Sequence, residues 1–99
     1  MIRRIIIEEE ADTEFVEAMR WYERNGAGLG WRFLRAVDAG IKLVESHPDL
    51  GSPVGNEIRR TLLKHFPYWI YYRVRQDELR VIACFHTKRS PDEMDSRIH

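Results

Sequence analysis

The sequence predicts an α+β fold, ordered β-α-α-β-β-β, with a helical hairpin packed on one face of a small, mostly antiparallel sheet. Three observations predict it. A β-branched run, Ile2 to Ile7, opens the chain. Two stretches with helical spacing follow, joined only by Gly26-Ala27-Gly28. Three alternating segments come last, and the central one is the aromatic run Phe66-Pro67-Tyr68-Trp69-Ile70-Tyr71-Tyr72.

Ile2 and Ile5 to Ile7, interrupted by Arg3-Arg4, are β-branched, and the run predicts a strand buried on both faces. Glu8-Glu9-Glu10 ends it and places negative charge at the start of a helix, where the macrodipole favours it. Ala11, Phe15, Ala18, Met19 and Tyr22 form the stripe of that first helix, and Gly26 stops it. The second helix spans Leu29 to about His47, on a stripe of Leu29, Phe33, Val37, Ile41 and Val44. Pro48 forbids its continuation, and residues 49–53 are expected to be loop. The three-residue connection makes the helices an antiparallel hairpin.

Strands are expected at about 57–64, 68–75 and 78–86. In the middle strand Tyr68, Ile70, Tyr72 and Val74 share one face, with Trp69, Tyr71 and Arg73 on the other. In the last, strict alternation puts Leu79, Val81, Ala83 and Phe85 on one face and Arg80, Ile82, Cys84 and His86 on the other. Gln76-Asp77 closes the hairpin between them. Residues 90–99 are polar with no core pattern, so a frayed tail or a short helix is expected, and the second sheet face is left without a covering layer; the alternative is that the tail folds across Trp69, Tyr71, Arg73 and His86.

At 99 residues the chain has room for a single core, and residues 1–99 are expected to form one domain. Apolar residues make up 43% of it and charged residues 32%, the balance of a soluble globular protein. No apolar run approaches the roughly 20 residues that span a bilayer, and no signal peptide is evident. Cys84 is the single cysteine, so internal disulfides and cysteine metal sites are ruled out and a reducing cytoplasm is expected. The zero net charge hides an asymmetry: residues 1–57 hold 7 basic and 11 acidic side chains, residues 58–99 hold 9 and 5. A nucleic acid or an acidic partner can dock on the basic strand half, but a neutral chain is poorly suited to tight nonspecific RNA binding.

These elements and residues resemble the ParE branch of the RelE/ParE toxin superfamily, of the plasmid stabilisation type. The resemblance covers nearly the whole chain. It is carried by Trp21-Tyr22-Glu23, Gly30 with Arg32-Phe33, His47-Pro48-Asp49-Leu50-Gly51, Ile58-Arg59-Arg60, Phe66-Pro67-Tyr68, Ile70-Tyr71-Tyr72-Arg73, and His86 with Lys88-Arg89. It implies a cytoplasmic toxin of a toxin–antitoxin module, held inactive in a hetero-oligomer by a ParD-like antitoxin with a ribbon-helix-helix DNA-binding domain. The target it implies is DNA gyrase, inhibited by binding; the RelE branch instead cleaves mRNA on the ribosome without a metal.

Metal-independent RNA cleavage needs a base for the 2′-hydroxyl, an acid for the leaving oxygen, and cations for the phosphorane charge. Arg60, Lys64, Arg73, His86, Lys88 and Arg89 are the candidates, with His86, Arg89 and Arg60 the natural catalytic set. Three departures from the RelE branch argue against this use. Trp69 stands where that branch has an arginine, Leu62 replaces one of its paired lysines, and Met94 falls where it has a tyrosine. A related nuclease branch ends in His-Tyr, whereas this chain ends Ile98-His99.

Several aromatic and polar residues have plain structural uses. Trp21 and Tyr22 pack the first helix, Tyr68 and Tyr72 fill the core, Cys84 fills a strand, and His47 is a cation at a helix end. No His-x-x-x-His spacing, Cys/His cluster or glycine-rich phosphate loop is present, so no metal or cofactor is expected. Trp, Tyr and Arg on a sheet face are the residue types of interface hot spots. Arg60, Trp69, Tyr71, Arg73, His86, Lys88 and Arg89 are therefore expected to bind a target or partner, without membrane attachment or sequence-specific DNA binding by this chain. A ribosome-dependent endoribonuclease is the alternative, and a member that keeps antitoxin binding without toxicity is a third.

Overall fold

The computed structural model describes residues 1–97. Its elements are β1 (Arg4–Ile7), α1 (Glu9–Asn25), α2 (Leu29–Ser46), β2 (Ser52–Gly55), β3 (Ile58–Leu62), β4 (Tyr68–Arg75) and β5 (Glu78–His86), followed by a 3₁₀ turn at Pro91–Met94. The strands form one sheet in the order β1-β5-β4-β3-β2. Only β1 and β5 are parallel; every other pair is antiparallel.

The hairpin of helices is closed by a carboxylate. Glu23, near the end of α1, accepts the backbone N–H groups of Gly28 at 3.1 Å and Gly30 at 3.0 Å. These are among the N-terminal donors that a helix cannot satisfy by itself. A Cβ at Gly30 would lie 2.8 Å from the Met19 carbonyl, so glycine there sets how closely the helices approach.

The helices pack on one sheet face through a core of Phe15, Phe33, Val37, Ile41, Val44, Ile70, Tyr72, Leu79 and Val81. The buried Tyr72 hydroxyl pins the segment after α2. It donates to the Pro48 carbonyl and accepts from the Gly51 N–H, each at 2.8 Å. A Cβ at Gly51 would meet that hydroxyl at 2.6 Å, which accounts for the glycine.

Four features depart from the pattern-based expectation. First, Ser52–Gly55 is not loop but an edge strand on β3. Pro53 and Gly55 disguise it, and both are tolerated because the outer side of an edge strand needs no ladder donor. Second, β1 is an edge strand and is not buried on both faces; Ile5 and Ile7 keep 39% and 42% of their surface exposed.

Third, the β4–β5 ladder runs Tyr71↔Ala83 and then Tyr72↔Val81, so Ile82 is an extra residue. The bulge shifts the phase of β5. Cys84 joins the helix-side core, while Ile82, Ala83 and Phe85 turn to the opposite face. His86 pairs with Tyr68 and so lies on the helix side, not with Trp69 and Tyr71 as strict alternation predicts.

Fourth, the second face is covered, by the tail, which is the alternative the sequence left open. Met94, in the tail, is 3% exposed and packs with Ile58, Tyr71, Ile82, Ala83 and Phe85. Among the described residues the tail carries a single apolar anchor amid polar ones, too little for a periodic signal. Ser90 caps the turn by accepting the Asp92 N–H. The last two residues of the expected tail, Ile98 and His99, lie outside the described residues.

Candidate functional site

The antiparallel register of β3 and β4 places Arg60 opposite Tyr71, Leu62 opposite Trp69 and Ile58 opposite Arg73. All six side chains therefore belong to the tail-covered face. The Arg60 guanidinium lies 4.0 Å above the Trp69 ring and donates to the Tyr71 hydroxyl at 3.3 Å. Arg60 has no carboxylate partner among the described residues, so most of its donors are left over for a ligand. A cleft of about 350 Å³ opens beside it, between Tyr71 and the tail residues Asp92, Met94 and Asp95. Arg73 lies on the same face two residues beyond Tyr71 on β4, and its side chain has no hydrogen-bond or ion-pair partner among the described residues. An aromatic and arginine platform of this kind suits a protein surface with carboxylates or carbonyls to offer.

The other candidates are elsewhere. His86 packs edge-on against Tyr68 at 5.0 Å, and its Nδ1 accepts the Lys88 N–H at 3.0 Å. Neutral His86 then carries its proton on Nε2. Lys88 is exposed beside it. Arg89 is engaged within the chain: it pairs with Glu14 at 3.0 Å and Glu93 at 2.9 Å, and stacks 3.8 Å over Phe85. Arg60, Trp69, Tyr71 and Arg73 thus form one group, while His86, Lys88 and Arg89 stand at the end of β5 and on the turn after it.

Glu14 organises the second group, and the sequence reading passed over it. Its Oε1 accepts the Cys84 N–H at 2.9 Å, on the stretch of β5 that β1 is too short to cover. Its Oε2 pairs with both Arg89 and Arg97, at 3.0 and 2.6 Å. Arg97 also reaches the Ile82 carbonyl and Glu10. One carboxylate therefore caps a strand edge and fastens the tail. The signal was present: residue 14 sits on the Ala11, Phe15, Ala18 stripe, where a carboxylate needs a partner.

Burial governs the raised acids, whereas the Arg4 guanidinium hydrogen-bonded to Glu78 holds that carboxyl below its ordinary value. Desolvation pushes the Cys84 thiol up to about 12, and the nearby Glu14 charge adds to it. Cys84 is thus a protonated core residue, not a nucleophile at neutral pH. Desolvation likewise raises the Tyr22, Tyr68 and Tyr72 phenols. Among the described residues no group of three or more His, Cys, Asp or Glu side chains is placed to hold a metal ion. No helix among them is long and apolar enough to cross a membrane.

With this architecture on view, comparison with known proteins decides the family. The family model described as ParE toxin of type II toxin-antitoxin system, parDE, matches residues 5–91. The chain belongs to the ParE toxin family. Among curated proteins it is similar to Toxin ParE2 of two Mycobacterium tuberculosis strains, CDC 1551 / Oshkosh and ATCC 25618 / H37Rv. Identity to each is 23% over 99 residues, covering 99% of this chain and 94% of the relative. A solved structure titled "Chromosomal ParDE TA system from P. aeruginosa" has the same fold, with a TM-score of 0.64 at 16% identity. The match covers 87% of this chain and 96% of that one. Family membership places the chain as the toxin of a type II toxin–antitoxin system, and the β-α-α-β-β-β order with its added edge strand β2 is the ParE-like fold.

Proposed function

We propose that this ParE-family chain acts in the cytoplasm by binding and poisoning DNA gyrase, without catalysis, and that a ParD-like ribbon-helix-helix antitoxin neutralises it in a hetero-oligomer. The observation that carries the binding reading is the separation of the three residues a nuclease would need together. His86 is on the helix side of the sheet, Arg60 is on the opposite face, and Arg89 is tied to Glu14 and Glu93. A general acid or base must reach the same phosphodiester that the cations clamp. The Arg60, Trp69, Tyr71 and Arg73 platform supports binding of a protein target in place of that chemistry, with Lys88 and the end of β5 extending the contact.

The family supports the antitoxin. Trp21, Trp31 and Leu43 expose about half or more of their surface on the helical hairpin, at 51%, 65% and 49%. A helix with apolar anchors would cover them, and its extended flank would run on towards a strand edge.

Induced expression in a bacterium tests the reading. Double-strand DNA breaks and an SOS response with intact transcripts are expected, and co-expression of the cognate antitoxin should abolish both. Rapid translation arrest with cleaved mRNA would overturn it in favour of the endoribonuclease. His86→Gln refines the test, since a nuclease would lose activity by about two to four orders of magnitude and a binder far less.

A further inference from the structure

The two edges of the sheet are built differently. β2 is blunted: Pro53 has no N–H to offer, Gly55 sits at φ 106°, and the ladder to β3 shifts register between them. β1 carries no such device. It has neither proline nor bulge, and it exposes Ile5 and Ile7.

The bonds β1 makes to β5 fix what its free edge presents. The Arg4 N–H donates to Asp77 and the Glu8 N–H to Val81. By the alternation of a parallel ladder, Arg4, Ile6 and Glu8 turn their main chains inward, and Ile5 and Ile7 turn theirs outward. Glu8, the residue before α1, is itself extended at φ −65° and ψ 148°, so the strand-like path continues through it.

The segment Arg4-Ile5-Ile6-Ile7-Glu8 is complementary to itself when run antiparallel about Ile6. Ile5 then faces Ile7 of the second copy, and these are the residues whose N–H and C=O groups are free to exchange both hydrogen bonds. Arg4 faces Glu8 of the second copy on the same sheet face. Arg4 already bridges to Glu78 at 2.5 Å, and Glu8 to Arg80 at 3.5 Å. The pairing would join them into an alternating row, Glu78, Arg4, Glu8, Arg80, running from one chain into the other on each side of the axis.

We propose that β1 is a homodimerisation edge, pairing antiparallel with β1 of a second copy about a two-fold axis at Ile6 to make one continuous sheet. The interface buries the exposed isoleucines and lies two strands from Trp69 on β4 and three from Arg60 on β3, so the dimer presents both platforms. The inference does not depend on what the toxin targets.

Sedimentation equilibrium of the full chain tests it, with circular dichroism to confirm that each variant is folded. The parent is expected at twice 11.8 kDa. Arg4→Glu sets carboxylate against carboxylate at both ends of the interface, and Glu8→Arg sets guanidinium against guanidinium. Each should weaken the dimer about tenfold to a hundredfold. Mixing the two variants one to one should restore it, because every substituted position then meets an opposite charge. That rescue separates pairing from any effect on the bridges within a chain. A parent that is monomeric at its highest soluble concentration overturns the proposal, as does a dimer that neither substitution weakens or a mixture that stays monomeric. Loss of antitoxin binding in Ile5→Lys, with a monomeric parent, would assign the edge to the antitoxin instead.

Discussion

The two faces of this sheet are covered in different ways, and the contrast separates stability from function. The helix side is closed by two helices of 17 and 18 residues over a core containing Phe33, Val44, Ile70, Tyr72 and Val81. The other side is closed by a short tail with one apolar anchor, Met94, and a border of Arg60, Trp69 and Arg73. The first face holds the fold together. The second is closed by Met94 on a short tail, a segment expected to open before the rest unfolds.

Truncation on each face should expose this difference most strongly. Phe33 is fully buried; it stacks on Tyr22 and meets Phe66 and Tyr68 edge-to-face, at centroid distances of 5.2–5.4 Å. Phe33→Ala is expected to cost about 3–5 kcal/mol, measured by denaturant unfolding. Met94 is as buried, yet the loss in Met94→Ala is bounded by the free energy of docking one short tail. It is expected to cost about 1 kcal/mol globally while raising proteolytic cleavage after residue 90. Equal losses at the two positions would mean that the tail belongs to the cooperative core.

The faces should also differ in alkali. Cys84 is buried on the helix side with its thiol held up at about 12 from an ordinary 9.0. Between those values the unfolded chain gives up a proton that the folded chain keeps, so unfolding releases a proton and rising pH favours it. The contribution is intact below about pH 9 and falls by roughly 1.4 kcal/mol per pH unit above it. Stability measured from pH 8 to 11 should drop steeply in the parent and less so in Cys84→Ala. The raised phenols of Tyr22, Tyr68 and Tyr72 on the same face account for a remaining slope. Identical profiles for parent and variant would remove Cys84 as a cause.

The sequence made the helix side legible and misread the other. Apolar spacing located both helices, and the alternation of Tyr68, Ile70, Tyr72 and Val74 put β4 the right way round. Alternation failed at Ile82 because a bulge inserts a residue without any glycine or proline to announce it. From that point Ala83, Cys84, Phe85 and His86 all lie on the faces opposite to those that strict alternation predicts, and the candidate site is less compact than alternation implies. The sequence left open a tail folded across Trp69 but did not mark Met94 as its plug, since the tail is fastened by Arg97 and Arg89 reaching Glu14, at separations of 83 and 75 residues. Such contacts leave no periodic trace. Only the carboxylate on an apolar stripe pointed to them.

The smallest expected effect on stability is the one that bears most on function. Arg60 stacks on Trp69 and meets Tyr71 at the long distance of 3.3 Å, contacts made near solvent. Arg60→Ala should therefore change unfolding free energy by only about 0.5–1 kcal/mol, the size of an exposed cation–π contact. If the platform engages the target, the same substitution removes a hot-spot cation and should weaken inhibition of gyrase supercoiling by about tenfold or more. Arg60→Lys should rescue little, because an ammonium cannot reproduce a planar guanidinium that both stacks and donates sideways. The opposite pattern, a loss of 2 kcal/mol or more with inhibition unchanged, would make Arg60 a clasp for the tail and move the search for the target surface to the end of β5.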